Sequence, residues 1–345
     1  MPVSKPSFSS SPAESARDEF RTLLYVEAAL ARAKALLGRI PQEAAEEIAE
    51  ACRADLHDRD TIAEAALEHA TAVVPLVESI RARLPEPLRE SVHRPATSQD
   101  IVDSALMLEV ARALDLLAPC LEDCADSIRV LKADHGDNPC LARTLLQPAL
   151  PTTFGTLLDA WLGGLHDAAV HVFAVREHGL AVQLAGPIGD LDDPELVAAF
   201  AAELGLAVPE RPWHTTRARI AHLASALGIV IGALGKIAAD VIVLSQAEIG
   251  EVAEGGEGGR SSAMAHKHNP ARAVQITALA QRAPGLIATV FAGLPQELYR
   301  APGRWQAEGP VVRELLDLAE AAAEHAEIML SGLRIDAERM KANLR

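Results

Sequence analysis

Residues 258–270 bring two serines, a lysine and an asparagine together behind a glycine-rich run; they read GGRSSAMAHKHNP. A serine hydroxyl can move a proton at a carbon beside a carboxylate, while lysine and asparagine side chains can hold the negative oxygens that develop there. The preceding run contains Gly250, Gly255 and Gly256, which give the backbone freedom and offer little side chain to pack. The pattern therefore predicts a mobile catalytic loop for carbanion chemistry, over residues 249–269.

This loop also has a simpler interpretation, in which it only joins two helices and Lys267 caps the second one. A phosphate-binding loop is excluded by spacing, because GxxxxGK[ST] cannot be laid over these residues. His266 and His268 flank Lys267, but side chains two positions apart do not converge on one metal unless the backbone is extended. We expect neither a metal nor a cofactor, since the chemistry needs only proton and carboxylate movement.

A second candidate region, residues 93–105, reads HRPATSQDIVDSA. Thr97 or Ser98 is placed to cap a long helix, whose free N–H groups and positive dipole end attract anions. A Thr-Ser cap is also an ordinary structural feature of a helix. The region therefore predicts either a carboxylate-binding helix end or a plain cap.

The loop resembles the signature Gly-Ser-Ser-x-Met-Pro-x-Lys-x-Asn-Pro of the fumarase/aspartase/argininosuccinate lyase superfamily, with Arg260 and Ala265 as departures. The resemblance implies that Ser261 transfers a proton and that Lys267 and Asn269 bind the substrate carboxylate and its enolate-like form. It implies further loop contacts to substrate, which we assign to Ser262 and Met264.

Two more segments resemble conserved regions of the same superfamily, in the same order. In residues 93–105 the resemblance implies that Thr97, Ser98 and Gln99 bind a substrate carboxylate and that His93 contacts the substrate. Residues 143–155, RTLLQPALPTTFG, resemble the pattern Arg-Thr-His-x-Gln. There the implied substrate-binding residues are Arg143, Thr144 and Gln147.

Leu145 lies where many superfamily members carry a catalytic histidine, and Val274 lies where they carry the glutamate that pairs with it. Leucine cannot exchange a proton, which leaves Ser261 as the preferred donor and His93 as the alternative. The bacterial 3-carboxy-cis,cis-muconate cycloisomerases lack that histidine too. Residues 25–52, 75–80 and 296–308 also resemble this family.

The resemblance implies an intramolecular lyase that converts 3-carboxy-cis,cis-muconate to 4-carboxymuconolactone, in aromatic degradation through protocatechuate and β-ketoadipate. One alternative is a superfamily lyase that releases fumarate from adenylosuccinate or argininosuccinate, which predicts a histidine at position 145. The other is a helical assembly protein without catalytic activity.

Composition limits the partners of this 345-residue chain. Its formal net charge of −16 disfavours nucleic acid and anionic membranes, so a polycarboxylate substrate needs a local cationic pocket. The motif segments supply these basic residues: Arg94, Arg143, Arg260, His266, Lys267, His268 and Arg272. The polar N-terminus has no apolar leader, which favours the cytoplasm. Cys120 and Cys124 share a helical face, and the cysteine spacings fit no metal pattern.

Alanine and leucine richness with only 3% aromatics predicts an all-α fold. Three- and four-residue apolar spacing, with Gly and Pro breaks, predicts helices over residues 18–37, 41–53, 60–83, 98–132, 152–179, 214–248, 270–290 and 309–332, and a short one from 336. Residues 185–195 are predicted as a turn-rich link, and we find no alternating strand pattern of useful length.

We divide the chain into an N-terminal helical domain (1–96), a central five-helix bundle (97–335) and the remnant (336–345) of a C-terminal domain that is mostly absent. The helix over 214–248 would be about 50 Å long and is apolar on more than one face, so it needs covering by other subunits. The resemblance implies a homotetramer with a twenty-helix core, in which each active site takes its three conserved regions from three different subunits.

Overall fold

The protein is described by a computed structural model that covers residues 18–256, 259–260, 263–264 and 267–344. The helical prediction is confirmed. The helices are α1 (Glu19–Leu36), α2 (Gln42–Ala51), α3 (Arg59–His69), α4 (Val73–Ala82), α5 (Glu86–Arg89), α6 (Ser98–His135), α7 (Phe154–Ala174), α8 (Pro194–Leu204), α9 (Ala218–Leu244), α10 (Ala271–Ala292), α11 (Arg304–Ser331) and α12 (Ala337–Ala342). The strands are β1 (Pro139–Thr144), β2 (Gln147–Thr153), β3 (Val252–Ala253) and β4 (Arg334–Ile335).

The first helices begin and end where local chemistry dictates. The Asp18 carboxylate accepts from the Arg21 N–H and caps α1, and Gly38 follows its end with φ +67°. The single helix predicted over 60–83 is wrong, because Ala70 adopts a left-handed φ of 53° that ends α3. Thr71 Oγ1 then accepts from the N–H of Val73, the first residue of α4, at 3.2 Å.

Five helices, α6, α7, α9, α10 and α11, are long and lie where long helices were predicted. Glycines bring α9 and α10 together, because a Cβ at Gly235 would lie 2.9 Å from the Ala280 Cβ. A Cβ at Gly228 would overlap the Ile287 side chain. Small residues at these two positions therefore set the spacing between the two helices.

Residues 139–153 correct the expectation of no useful strands, since β1 and β2 pair as an antiparallel hairpin. Leu145 and Leu146 form its two-residue turn with φ of 51° and 62°, a conformation in which Asn-Gly is the usual sequence. Leu145 is 96% exposed. The helix predicted to follow Pro151 and Thr152 is α7, which begins at Phe154.

Residues 185–195 form the predicted link, but the helix after it was missed. Pro194 opens α8 in its first turn, and Asp193 caps it by accepting from the Leu196 N–H at 3.1 Å. Gly205 ends it with φ +66°. The Asp-Pro pair is the sequence signal that could have located this helix.

The chain forms two compact units. Unit 1 contains residues 1–113, 176–221 and 290–313, and its core joins α1, α4 and α8 around Leu24, Leu76 and Phe200. Unit 2 contains residues 114–175, 222–289 and 314–345. The domain boundaries at 96 and 335 stay a prediction.

Helix α9 has the length and apolar composition of a membrane span, with a mean hydropathy of 2.2 in its most apolar window. In that window 44% of the residues are buried within the protein, including Ile231 and Leu234. A core helix of a large bundle has the same properties.

Candidate functional site

The N-terminus of α6 is built in unit 1 around Thr97 and Asp100. Thr97 donates from its backbone N–H to Asp100 Oδ2 at 3.0 Å, which is half of a capping box. The Thr97 hydroxyl accepts from Arg300 Nη1 at 2.7 Å. Thr97 and Ser98 are both half-buried, so this helix end combines dipole, hydroxyls and a guanidinium and can attract an anion.

Asp100 is fully buried and fixes the helix end to the rest of unit 1. Its carboxylate accepts from the N–H groups of Ala185 and Gly186 at 3.2 and 2.9 Å. His214 Nε2 donates to the same carboxylate at 2.7 Å. Asp100 was not among the predicted site residues, although its place three residues after Thr97 is the capping-box signal.

Gln99 lies beneath the helix end and is fully buried. Its Nε2 donates to Asp103 Oδ2 at 3.2 Å and to the His214 carbonyl at 2.9 Å. These bonds give Gln99 a role in holding residue 214, and its predicted contact with substrate stays a prediction.

A buried ion network involves Arg217, Asp103 and Glu308. Arg217 donates to both Asp103 oxygens at 2.8 Å and to Glu308 Oε2 from Nε and Nη2, at 2.9 and 2.6 Å. Burial acts to lower the pKa of Arg217, but the two carboxylates outweigh it and raise that pKa. For Glu308 burial is the largest effect and raises the pKa, while the positive charge of Arg217 acts to lower it. No local sequence signal marks this network, because Arg217 is 114 residues from Asp103 and 91 from Glu308.

His93 lies in the loop before α6, where Nδ1 of its ring is 2.7 Å from Glu27 Oε1 of α1. His93 is half-buried and has a left-handed φ of 72°. The Glu27 carboxylate is completely buried. Unit 1 thus contains His93, Thr97, Ser98 and Gln99 of the predicted site.

In unit 2, Arg143 is held by a buried carboxylate. Its Nη1 and Nη2 donate to the two oxygens of Glu251 at 3.0 and 2.7 Å, and Asn343 Nδ2 donates to the same carboxylate at 2.7 Å. Thr144 and Gln147 pair across the end of the hairpin and are exposed. A mostly apolar cavity of about 350 Å³ adjoins this ion pair, between the hairpin, α7 and α9.

The loop predicted over residues 249–269 contains one antiparallel bridge among its described residues, in unit 2. Arg260 and His268 face each other in an antiparallel bridge, and the Asn269 N–H donates to the Gly259 carbonyl at 2.8 Å. Gly259 has φ +79°, and a Cβ there would overlap the Asn269 carbonyl oxygen. Lys267 is exposed.

The loop carries other predicted residues as well. Met264 is 44% exposed, and its carbonyl accepts from the Lys267 N–H at 3.1 Å. Ser261 and Ser262 lie outside the described residues. Unit 2 therefore carries Met264, Lys267 and Asn269 on this loop.

Both ends of the loop are held by contacts within unit 2. Glu254 accepts from the N–H groups of Arg272 and Ala273 at 3.0 and 2.8 Å and caps α10. From α12, Arg339 donates to the carbonyls of Ile249 and Glu248 at 2.9 and 2.8 Å. Glu254 and Ile249, in the first part of the predicted loop, are thereby anchored to α10 and α12.

Part of the expected cationic set is already neutralised. Arg94 pairs with Glu90 at 2.9 Å, and Arg143 pairs with Glu251. The Lys267 side chain makes no ion pair with a described residue. Among the residues that the structure describes, no group of His, Cys, Asp and Glu could hold a metal ion.

The chain belongs to the lyase family of the fumarase superfamily, since the family model described as Lyase matches residues 5–285. It is 42% identical to the 3-carboxy-cis,cis-muconate cycloisomerase of Pseudomonas aeruginosa, over 95% of this chain and 74% of that protein. The nitrosuccinate lyase of Streptomyces davaonensis is 40% identical, over 93% of this chain and 72% of that protein.

The fold is also similar to a solved structure. The crystal structure of the 3-carboxy-cis,cis-muconate lactonizing enzyme from Pseudomonas putida superposes with a TM-score of 0.91 at 37% identity. The match covers 95% of this chain and 75% of that one. The chain therefore has the fold of this lactonizing enzyme and belongs to the lyase family.

Proposed function

We propose that this protein is a cycloisomerase that closes 3-carboxy-cis,cis-muconate to 4-carboxymuconolactone, within protocatechuate breakdown through β-ketoadipate. The observation that carries the proposal is the pair Leu145 and Val274, two apolar side chains where superfamily lyases use a histidine and a glutamate. The identity of 42% to a cycloisomerase supports the same reaction. The cytoplasm is the expected compartment.

The reaction needs a nucleophile that the substrate already contains. A substrate carboxylate oxygen bonds to a carbon of the conjugated double bond, and the displaced electron pair moves into a neighbouring carboxylate. Lys267, Asn269 and the Thr97–Ser98 helix end hold the negative charge that develops. A proton then reaches the carbanion carbon and completes the lactone, with Ser261 or His93 as the donor.

The site requires several copies of the chain. We propose a homotetramer in which regions 93–99, 143–147 and 261–269 of different subunits meet at each site. Exposed apolar side chains on the long helices of unit 2 support association, among them Val130, Phe173, Val274 and Ile328. No nucleic acid, membrane or cofactor is needed.

A second candidate function is the lyase reaction on nitrosuccinate, because the Streptomyces davaonensis enzyme is 40% identical. Both substrates carry carboxylates, so Lys267 and the α6 N-terminus suit either one. Activity on adenylosuccinate or argininosuccinate is disfavoured by Leu145.

Product analysis separates these functions. The purified protein is incubated with 3-carboxy-cis,cis-muconate and, separately, with nitrosuccinate, adenylosuccinate and argininosuccinate, and products are identified by mass spectrometry. We expect a lactone isomeric with the protonated substrate, and the uptake of one proton per turnover at neutral pH. Fumarate release with no lactone would refute the proposal, and inertness toward all four would favour an assembly protein.

A further inference from the structure

The imidazole of His93 is oriented by a buried carboxylate of α1. The distance from Nδ1 to Glu27 Oε1 is 2.7 Å, and the exposed fractions of the two side chains are 16% and 0%. An ionised carboxylate can only accept, so the ring donates from Nδ1 and leaves Nε2 free to exchange a proton. The other Glu27 oxygen, Oε2, is buried without a hydrogen-bond partner among the described residues.

The backbone around His93 is fixed from the same helix. Lys34, two turns after Glu27 on α1, is buried and donates from Nζ to the carbonyls of Ser91 and Arg94, the latter at 2.9 Å. Arg81 of α4 donates to the Val92 carbonyl at 3.1 Å. These bonds hold His93 at a φ of 72°, a left-handed conformation that costs a non-glycine residue free energy.

The arrangement differs from that of a structural histidine in the same unit. His57 has both ring nitrogens engaged, with Ser79 Oγ and the Ala51 carbonyl each at 2.8 Å. His93 has one engaged nitrogen, and its Nε2 makes no hydrogen bond to any described residue. A half-buried imidazole with one nitrogen held by a carboxylate and the other free is suited to act as a general acid or base.

We propose that His93 delivers the proton to carbon and that Glu27 is its positioning residue. This carboxylate–imidazole pair of unit 1 would take the role that Leu145 cannot fill, because a leucine side chain has no proton to exchange. The inference rests on the proposed function. As the lactone C–O bond forms, the π electrons become a carboxylate-stabilised carbanion. The Nε2–H bond of the imidazolium then breaks, its proton bonds to that carbon and its electron pair stays on Nε2. Nδ1–H remains on Glu27, and water restores the proton to Nε2.

The first test is spectroscopic and needs no substrate. In protein labelled with ¹⁵N-histidine, long-range ¹H–¹⁵N correlations report which ring nitrogen of neutral His93 carries the proton, with His93→Gln to assign the signal. We expect Nδ1–H in the wild type and a shift toward Nε2–H in Glu27→Gln. Neutral His93 protonated on Nε2 in the wild type would overturn the inference, whatever the stability of the variants.

The second test is kinetic. We expect His93→Gln to lower kcat by about 10²-fold or more, the usual contribution of a general acid. Glu27→Gln should lower kcat by about tenfold or more with KM changed less than about twofold, since a positioning residue acts on the proton-transfer step. Glu109→Gln is the matched control, because Glu109 is another buried glutamate of unit 1 that pairs with Arg313 at 2.7 Å, and it should keep the tautomer and kcat of the wild type.

The outcomes separate the two proposals. Normal lactone formation by the wild type with unchanged kcat in folded Glu27→Gln would overturn the inference alone. No lactone from the wild type would overturn the proposed reaction, and the proton delivery with it. Equal loss of kcat in Glu27→Gln and Glu109→Gln would reduce Glu27 to a structural role.

Discussion

Asp100 and His214 are joined by a 2.7 Å hydrogen bond between a fully buried carboxylate and an imidazole, at the point where α6 begins. The same carboxylate accepts from the backbone N–H of Thr97, so one side chain sets both the helix end and residue 214. The N-terminal end of α6 is therefore held in place by contacts within unit 1 alone.

Replacing this carboxylate should cost stability. In Asp100→Asn the new amide NH₂ faces the N–H donors of Ala185, Gly186 or His214, which leaves buried donors without acceptors. We expect a loss of about 1–3 kcal/mol in the free energy of unfolding. Urea denaturation measures it, with exposed Asp126→Asn as the control; equal stability of the two variants would contradict the role given to Asp100.

The Arg217 network should be more sensitive. Arg217→Met leaves Asp103 and Glu308 buried without their cation, and breaking a buried ion pair in this way costs about 3–5 kcal/mol. Denaturation of Arg129→Met is the comparison, because Arg129 forms only exposed ion pairs with Glu122 and Asp126. A stable Arg217→Met variant would show that the network adds little to the fold.

The buried ammonium of Lys34 should make the free energy of unfolding depend on pH in the alkaline range. Burial lowers the pKa of Lys34 from 10.5 to about 8, and Glu27 opposes this shift. The folded protein therefore binds this proton less tightly than the unfolded chain, and Lys34 adds stability as pH rises from about 8 to 10.5.

Two of the cysteines have the opposite effect on stability at alkaline pH. Burial raises the pKa of Cys120 and raises that of Cys124 to about 12, so these thiols stabilise the folded protein less as pH rises. The test is therefore a difference. The free energy of unfolding of the wild type minus that of Lys34→Met should increase between pH 8 and 10.5. A flat difference would mean that Lys34 keeps its ordinary affinity for protons.

The loop lysine tests the proposed catalysis directly. Lys267→Ala should lower kcat by about 10²- to 10³-fold, the cost of removing a preorganised donor at a developing oxyanion. Lys341→Ala, at an exposed position of α12, is the control. Near-normal turnover of carboxymuconate by Lys267→Ala would remove the loop from the mechanism.

Two glycines of the loop form a matched pair. Gly256 and Gly259 both have positive φ, of 87° and 79°, but a Cβ at Gly256 meets open space whereas one at Gly259 overlaps the Asn269 carbonyl. Both alanine variants carry backbone strain, and only Gly259→Ala should also displace Asn269. We expect a rise in KM confined to Gly259→Ala, measured by initial rates; equal KM values would show that Asn269 is not held by this contact.

Sequence patterns located the elements whose signals are local. Gly38 and Pro41 placed the break between α1 and α2 within one or two residues, because they act through their own backbone. The hairpin of residues 139–153 was missed since its strands contain Pro139, Pro148 and Pro151 and lack alternation. Ala70 ends α3 in a left-handed conformation, which could not be predicted because alanine rarely adopts it.

The candidate site was foreseen only where a motif marked it. Thr97, His93 and Lys267 lie in such motifs. Arg300, the partner of Thr97, and Glu27, the partner of His93, were not predicted because they are 203 and 66 residues away in sequence. Gln99 was assigned to substrate from its place in a motif, but its bonds to Asp103 and His214 follow from the packing of α6.

Helix α12 and its C-cap are tied to the start of the predicted loop, through Arg339 to the carbonyls of residues 247–249 and through Asn343 to Glu251. A displacement of α12 would therefore reach these carbonyls directly, and with them the residues at the start of the predicted loop.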